Sequence, residues 1–223
     1  MNKMLLAALV IVAGCSSGSD APCPRSKPDA ACIQPCGRES APGSCIGRVL
    51  PDIKLDAFYN GRFVKVSPRQ YSRKWVILFF YPADFTFVCP TELKELADYY
   101  NEFTVMGAEI LSVSTDSVYV HRAWKSSNKD LGGVRYPMLS DRTGALSRML
   151  GAYDGAQGCA ERATFLADPD GRVVACEFHH ESIGRSADEL LRKLAAAQAV
   201  REGSGGYCPA GWKAGQEIIH PEQ

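Results

Sequence analysis

The chain has no excess of charge of either sign, because 25 Lys and Arg residues balance 25 Asp and Glu residues. It also has no cluster of basic residues, so the electrostatic footprint of a nucleic-acid-binding protein is missing. Past the start of the chain, no apolar run is long enough to span a membrane. No two of the 9 cysteines have the C-x-x-C spacing that is typical of dithiol redox proteins and many zinc sites. The sequence therefore predicts no nucleic-acid partner and no internal membrane span.

The first residues have the pattern of a targeting segment. A short charged start precedes an apolar run from Met4 to Ala13, which fits a secretory signal and is too short for a transmembrane helix. The run Val12-Ala13-Gly14-Cys15 resembles a bacterial lipobox, in which the cysteine is lipidated and becomes the new N-terminus. We therefore expect a signal peptide over residues 1–14 and a lipid on Cys15. The protein would then lie in the bacterial cell envelope, at the outer membrane or the periplasmic face, and a cytoplasmic protein with an apolar start is the alternative.

Four cysteines follow this segment at short intervals: Cys23, Cys32, Cys36 and Cys45. They lie in or just beyond a stretch rich in Ser, Gly, Pro and Ala. Outside the cytoplasm an even set of cysteines usually forms disulfides, and four cysteines allow three pairings among which the sequence does not choose. We expect structural disulfides here. A zinc site and a redox relay toward the rest of the chain are the alternatives.

The remainder of the chain has the pattern of an α/β domain of ordinary size, with enough apolar residues for one core. An Asn60-Gly61 turn predicts a hairpin between strands over 53–58 and 62–66. Strands and helices then alternate, which implies a parallel sheet core. The alternating elements are strand 76–81, helix 91–103, strand 109–115 and helix 117–127. The patterns beyond them predict a short helix over 145–150, strands over 163–167 and 173–178, and a final helix over 187–200.

The segment from Tyr81 to Leu93, YPADFTFVCPTEL, places one cysteine where a strand is followed by a helix. The residues before it are apolar and β-rich, and the apolar residues after it recur at helical spacing, with Pro90 suited to a first helical turn. Cys89 therefore lies at the N-terminal end of a helix, where unpaired backbone N–H groups and the helix dipole favour a thiolate. Thr86 can direct its hydroxyl at the same sulfur. A thiolate in this position is a candidate nucleophile.

This segment resembles the active-site signature of the peroxiredoxins, P-x-x-x-T-x-x-C, through Pro82, Thr86 and Cys89. The form DFTFVCPTE is that of typical two-cysteine peroxiredoxins, the group that contains the peroxidase component of bacterial alkyl hydroperoxide reductase. Arg162 in RATFLADPDG resembles the active-site arginine of the family, and IGRSADELLRKL resembles its last helix. The segment YCPAGW around Cys208 is similar to the element that carries the resolving cysteine.

The resemblance implies a thioredoxin-like fold with peroxiredoxin additions, in which helices flank a mixed central sheet. Residues 15–46 would form a lipidated, cysteine-rich tether, 47–200 the peroxidase domain and 201–223 a C-terminal arm with the resolving cysteine. The implied activity is the reduction of hydrogen peroxide and organic hydroperoxides, with no cofactor and no metal. The implied partners are a thioredoxin-like or other disulfide reductase and a second copy of the chain, since family members form homodimers that can assemble into decameric rings.

The resemblance also implies a role for each residue of the site. Cys89 attacks the peroxide O–O bond as a thiolate and becomes a sulfenic acid, which reacts with Cys208 of the partner subunit to form a disulfide. Arg162 stabilises the charge that moves to the departing oxygen. Thr86 holds the peroxide in line, and Pro82 excludes water from the sulfur.

The remaining candidates have supporting roles. Glu92 and Arg185 are implied to form an ion-pair network that orients Arg162. Cys159, which is close to Arg162 in sequence, and Cys176, which lies inside a predicted strand, are expected to be buried and inert.

Other functions compete with the peroxidase. A thiol-disulfide oxidoreductase would need C-x-x-C at the helix start, and Glu92 occupies the position of the second cysteine. A chaperone or structural role for ring-shaped oligomers stays open, as does a metal-binding sensor formed by the N-terminal cysteines.

Overall fold

The structure is a computed structural model that describes residues 44–203 and 206–220. The predicted signal peptide, the lipidation site Cys15 and the tether cysteines Cys23, Cys32 and Cys36 lie outside these residues. Across the described ranges, no helix is long and apolar enough to cross a membrane.

Among the described residues, seven strands form one mixed sheet, and two more form a separate short hairpin. The strands are β1 (Leu55–Tyr59), β2 (Arg62–Val66), β3 (Trp75–Phe80), β4 (Ala108–Ser114), β5 (Met138–Ser140), β6 (Tyr153–Asp154), β7 (Cys159–Ala160), β8 (Arg162–Ala167) and β9 (Val173–His179). Their order in the large sheet is β2-β1-β5-β4-β3-β8-β9, and β6 pairs with β7. β3, β4 and β5 run parallel to one another. On the other side of β3, β8 is antiparallel to β3, and β9 is antiparallel to β8. The predicted mixed sheet of a thioredoxin-like fold is confirmed.

The central strand β3 is apolar throughout because both of its faces are covered. Ile77 and Phe79 pack into one core with residues of the helices, and Val76 and Leu78 pack into a second core on the opposite face. All of its residues are buried. The strand ends at the edge of the sheet where the loop that contains Thr86 begins.

In the part of the chain that the structure describes, five α-helices flank the sheet: α1 (Cys89–Asp98), α2 (Tyr100–Val105), α3 (Val118–Ser127), α4 (Ala145–Leu150) and α5 (Ala187–Glu202). Serine side chains cap two of them, since Ser117 accepts a hydrogen bond from the N–H of Val120 and Ser186 accepts one from Glu189. The single helix predicted over 91–103 is divided at Tyr99 into α1 and α2. The apolar pattern does not reveal this break, because Leu96 before it and Phe103 after it are both buried in the same core.

The residues before β1 run back along the start of β9. Gly47 N–H donates to the Val173 carbonyl at 2.7 Å, and Val173 N–H donates to the Arg48 carbonyl at 2.9 Å. This pairing brings Cys45 to Cys176 of β9, and the two form a disulfide. The expectation that Cys45 pairs with another tether cysteine is therefore wrong, and so is the expectation that Cys176 is an inert buried thiol. The strand pattern does not indicate the bond because its two cysteines are 131 residues apart.

Candidate active site

Cys89 is the first residue of α1, directly after the loop that follows β3. Its side chain is 1 % exposed. Val88 precedes it at the cap position without a side-chain hydrogen bond to the helix, and Pro90 has no N–H to satisfy. No side chain caps the N–H groups at this end of the helix, and the positive end of the helix dipole favours negative charge on Cys89.

Arg162 reaches the sulfur from the neighbouring strand. It is the first residue of β8, and its Nη1 and Nη2 atoms lie 3.8 and 3.7 Å from the Cys89 Sγ. The register explains the approach, because Ala163 pairs with Phe80 at the end of β3 and Arg162 lies one residue further along. The guanidinium is buried and presents two N–H donors to one sulfur. This fork can stabilise a thiolate and, at the same time, an oxygen bound beside it.

Two further acceptors fix the orientation of the Arg162 guanidinium. The carbonyl of Glu181 accepts hydrogen bonds from Nε at 3.1 Å and from Nη2 at 2.7 Å. The Glu92 carboxylate, on α1, accepts one from Nη1. Because Glu92 and Cys89 belong to the same helix, Arg162 is held against the first turn of α1 by both residues.

A second buried arginine holds Glu92 in turn. Arg185 donates to Glu92 Oε1 from its backbone N at 2.8 Å and from Nε at 2.9 Å, and to Oε2 from Nη2 at 3.0 Å. Its Nη1 donates to the Ala163 carbonyl and the Thr164 hydroxyl, and its guanidinium lies 3.4 Å from the centre of the Phe79 ring. Burial lowers the pKa of Arg185 from its ordinary value, and the hydrogen bonds to Glu92 act in the opposite direction.

The charges of this cluster do not balance without the cysteine. Arg162 and Arg185 contribute two positive charges, and Glu92 contributes one negative charge, all on side chains that are at most 2 % exposed. Burying a net charge is costly, so a negative partner is favoured inside the cluster. A thiolate on Cys89 supplies that charge at the point where Arg162 already donates.

Thr86 differs from the sequence-based expectation. Its hydroxyl donates to the Ala83 carbonyl at 2.9 Å rather than to the Cys89 sulfur. The loop folds back tightly at this point, with Phe85 at a φ of 58°, and this brings the Ala83 carbonyl within reach. Since its hydrogen is used by Ala83, the Thr86 oxygen remains able to accept a hydrogen bond from a bound molecule.

A polar cavity of about 240 Å³ opens beside Arg162. Its lining includes Pro82, residues of the β6–β7 hairpin such as Cys159, and residues from the end of β9 and the segment after it, namely His179, His180 and Glu181. Cys159 is a half-buried free thiol. Burial, followed by the nearby carboxylates of Asp154 and Glu181, raises its pKa above the ordinary value, which disfavours a thiolate at Cys159.

The predicted resolving cysteine lies apart from this cluster within the chain. Cys208 is a half-buried free thiol whose Sγ lies 3.6 Å from the carbonyl of Ala196 on α5. The arm around it contacts α5 through Trp212, whose side chain is buried. The backbone carbonyl of Trp212 accepts a hydrogen bond from Arg192 on α5. The structure therefore brings Cys89, Arg162, Glu92 and Arg185 together, and it leaves Cys208 in the C-terminal arm beside α5.

Sequence reasoning missed the backbone groups of the site. The Glu181 carbonyl orients Arg162, and the Ala163 carbonyl orients Arg185. Every residue has a carbonyl, so no residue type or spacing could have indicated these two. Asp84 and His121, which form a buried hydrogen bond close to the loop of Thr86, were also missed. An aspartate at the start of the DFTFVCPTE segment was the only signal for them.

The AhpC/TSA family matches residues 46–176 of the chain. Alkyl hydroperoxide reductase C of Salmonella typhimurium is 45 % identical over 178 residues, which are 80 % of this chain and 95 % of the relative. The Bacillus subtilis protein of the same name is 40 % identical with the same coverage.

Solved structures agree with these matches. Enterococcus faecalis AhpC is 44 % identical, with a TM-score of 0.72 over 74 % of this chain and 99 % of that protein. The reduced Plasmodium vivax 2-Cys peroxiredoxin is 35 % identical, with a TM-score of 0.74 over 78 % of this chain and 92 % of that protein. With a buried cysteine at a helix start and an arginine fork on its sulfur, the chain belongs to the AhpC/TSA family and is a peroxiredoxin of the AhpC type.

Proposed function

We propose that the protein is a thiol-dependent peroxidase that reduces hydrogen peroxide and organic hydroperoxides through Cys89. The main support is the fork of Arg162, whose two terminal nitrogens lie 3.8 and 3.7 Å from the Cys89 sulfur. The relatives named alkyl hydroperoxide reductase C support the substrate class.

In the first step the Cys89 thiolate attacks one peroxide oxygen, and the O–O bond breaks. The attacked oxygen stays on sulfur as a sulfenic acid, and the other leaves as an alkoxide or hydroxide that takes up a proton. Negative charge thus moves from the sulfur to the departing oxygen. The Arg162 fork can donate to both atoms, so it stabilises the charge along the whole path, and Glu92 and Glu181 keep it from turning away.

Thr86 and Pro82 complete the peroxide site. The Thr86 hydrogen is committed to the Ala83 carbonyl, so its oxygen accepts the O–H of the peroxide and aligns it with the sulfur. Pro82 lines the cavity beside Arg162 with an apolar ring. It limits the water that would compete for the Arg162 donors.

In the second step Cys208 from a second copy of the chain attacks the sulfenic acid of Cys89 and forms a disulfide with loss of water. A thioredoxin-like or other disulfide reductase then returns both cysteines to thiols. Because Cys89 is 1 % exposed, the first turn of α1 has to open before Cys208 can reach it. The half-buried position of Cys208 next to α5 means that its arm also has to leave the helix.

A homodimer is supported by the exposed edge of the sheet. β9 is an edge strand, and its side chains Val174 and Phe178 are 38 and 45 % exposed. Past Val173, which pairs with residues 47–48, the outer edge of β9 has no paired strand in the described residues, and an open edge of this kind favours pairing with another strand. A second copy of the chain aligned along β9, as the basis of a larger ring, would cover these residues.

The experiment uses the full chain with Cys23, Cys32 and Cys36 replaced by Ser. The protein is treated with peroxide, and its oxidation is monitored on non-reducing gels. One equivalent of peroxide is expected to give a covalent dimer that vanishes in Cys208→Ser and persists in the matched control Cys159→Ser. A dimer that persists in Cys208→Ser would contradict the assignment of Cys208. A wild-type protein that consumes no peroxide would contradict the peroxidase itself.

The lipid anchor is a separate part of the proposal. It is supported by the apolar run and by Val12-Ala13-Gly14-Cys15, and it attaches the mature protein to the bacterial cell envelope. Several acyl chains together hold a protein on a membrane, whereas a single chain binds only marginally. Mass spectrometry of membrane fractions is expected to find a modified Cys15 at the N-terminus, and Cys15→Ala is expected to leave an unprocessed precursor. An unmodified Met1 in a soluble pool would contradict the anchor and leave the peroxidase proposal intact.

A further inference from the structure

We infer that Asp84 is a positioning residue of the peroxidase, and that it works with His121 and Tyr81 to hold the turn that presents Thr86 to the peroxide. The inference rests on the proposed peroxidase function. It assigns a role in the reaction to a buried polar cluster that does not touch the Cys89 sulfur.

The Asp84 side chain is fully enclosed and makes two hydrogen bonds. Its Oδ1 accepts from the Tyr81 hydroxyl at 2.8 Å, and its Oδ2 lies 2.8 Å from Nδ1 of His121. Its backbone N–H donates to Oδ2 of Asp116 at 2.8 Å. Asp84 is thus held at three points, and buried bonds to a charged group are the stronger kind.

The partners of Asp84 belong to the rigid frame of the domain. Tyr81 follows β3 and donates its N–H to the Val113 carbonyl on β4, and its ring is completely buried. His121 lies on α3, and its Nε2 is 3.2 Å from the Leu139 carbonyl on β5. The loop after β3 is therefore tied through Asp84 to β4, α3 and β5.

The turn that Asp84 holds is a strained one. Phe85, the next residue, has a φ of 58°, a conformation that is unfavourable for a residue other than glycine. Thr86 then turns back to donate to the Ala83 carbonyl. Such a conformation persists only when its surroundings enforce it. Asp84, between Ala83 and Phe85, supplies the three bonds that do so, and Pro82 and Thr86 are each two residues away.

The cluster holds one proton between Asp84 and His121. The Leu139 carbonyl can only accept, so Nε2 of His121 carries a hydrogen. A single proton then lies between Nδ1 and Oδ2, and the pair has no net charge whichever atom holds it. An asparagine can satisfy the same partners, because its amide group donates to Nδ1 and its oxygen accepts from Tyr81. Asp84→Asn therefore preserves the hydrogen bonds that Asp84→Ala removes.

The experiment measures two rates in Asp84→Ala and in the matched variant Asp84→Asn. The first is the second-order rate constant for peroxide, and the second is alkylation of Cys89 by iodoacetamide, followed on the Cys89 peptide by mass spectrometry. Alkylation depends on the thiolate and its access, and it needs no alignment by Thr86. We expect Asp84→Ala to slow the peroxide reaction at least tenfold and alkylation less than threefold. Asp84→Asn is expected to stay within threefold of wild type in both.

A double-mutant cycle tests whether Asp84 acts through Thr86. In a Thr86→Val background, Asp84→Ala is expected to slow the peroxide reaction by less than a further threefold. An additive loss would overturn the inference, as would parallel losses of the two rates or a loss in Asp84→Asn equal to that in Asp84→Ala. If Asp84→Ala does not fold, Tyr81→Phe is the second variant, because it removes one of the two hydrogen bonds to the Asp84 side chain. We expect Tyr81→Phe to slow the peroxide reaction about threefold relative to alkylation of Cys89. Wild-type peroxide rates in Asp84→Ala or Tyr81→Phe would overturn this inference alone, whereas an inactive wild type would overturn the proposed function.

Discussion

The two best-defined cysteine sites of the domain lie on opposite faces of one sheet, and they differ in what surrounds the sulfur. Cys89 belongs to the core that contains Phe79 and the helices, and the Arg162 fork is its polar neighbour. Cys45 and Cys176 pack against the core on the other face, and each sulfur has the other as its neighbour. Burial is therefore common to Cys89 and Cys45, and it does not decide the chemistry. The neighbouring groups do, since a fixed cation favours a thiolate and a second thiol favours a cross-link.

The antiparallel pair of strands β8 and β9 connects the two sites. Arg162 begins β8, and Cys176 lies opposite Phe165 in the middle of the pair. Glu181, whose carbonyl orients Arg162, follows β9 by two residues. The disulfide therefore ties the segment before β1 to β9, the strand that pairs with β8, yet its sulfurs do not enter the peroxide site. Stability and reactivity are expected to respond to different cysteines.

The largest expected effect is on the rate, at Cys89. Cys89→Ser is nearly isosteric but cannot form a thiolate, so it is expected to lower peroxide consumption more than about a thousandfold, on the order of 4 kcal/mol. The fold should be unchanged, with the same Tm within a few degrees. Stopped-flow peroxide consumption is the measurement, and Cys208→Ser, which keeps the first oxidation step, is the control. A variant that retained more than about a thousandth of the wild-type rate would remove Cys89 as the nucleophile.

The next effect is on stability, at the other face of the sheet. The Cys45→Ser, Cys176→Ser double variant opens a covalent loop whose ends are 131 residues apart. Removing such a cross-link is expected to lower the free energy of unfolding by about 2–5 kcal/mol. Urea denaturation with Cys89 and Cys208 alkylated in both proteins measures the difference. The peroxide rate of the unalkylated variant is expected to stay within twofold of wild type, and a tenfold fall would show that the two sites are not separate.

A smaller effect on the rate is expected at Arg162. Arg162→Lys keeps a positive charge but loses the planar fork that reaches the sulfur with two nitrogens. The second-order rate constant for peroxide is expected to fall roughly tenfold, about 1.4 kcal/mol. Stopped-flow kinetics at several peroxide concentrations measures it. A wild-type rate in this variant would move the charge-stabilising role to another residue.

The two sites also differ in how far the sequence could predict them. Cys89 is predictable from a local pattern, because an apolar strand over 76–81 and an amphipathic helix over 91–103 flank it in the sequence. Arg162 lies far from Cys89 in sequence and was found only through the resemblance to a family. The Glu181 carbonyl and the Cys45–Cys176 bond were not found at all. Backbone groups have no residue type, and a cross-link on the surface of a sheet depends on which edges the fold brings together.

The strands of the fold also differ in how far the sequence predicts them, because only a pattern that extends over several consecutive residues can be recognised. The strands β3 and β8 are predictable because both of their faces are buried: β3 is continuously apolar, and β8 is apolar apart from Arg162 and Thr164. The hairpin of β6 and β7 was missed because each strand has two residues, too few for any period to appear. That hairpin matters for function, since it places Cys159 in the cavity of Arg162.

The smallest effect is expected at Cys159, which tests whether a cysteine near Arg162 becomes reactive by proximity alone. Burial and the carboxylates of Asp154 and Glu181 raise the pKa of its thiol, so it stays protonated at neutral pH and gains a thiolate only as the pH rises past the ordinary thiol range. Cys159→Ser is therefore expected to change the peroxide rate and the rate of disulfide formation by Cys89 less than twofold. Iodoacetamide labelling of the Cys159 and Cys89 peptides between pH 6 and pH 10 measures both thiols in one sample, with Cys89 reacting first. Equal labelling of the Cys159 and Cys89 peptides at pH 7, or slower disulfide formation in Cys159→Ser, would contradict this expectation. Either result would mean that the cavity activates any thiol within it. The arginine would then not explain the contrast between the two faces of the sheet.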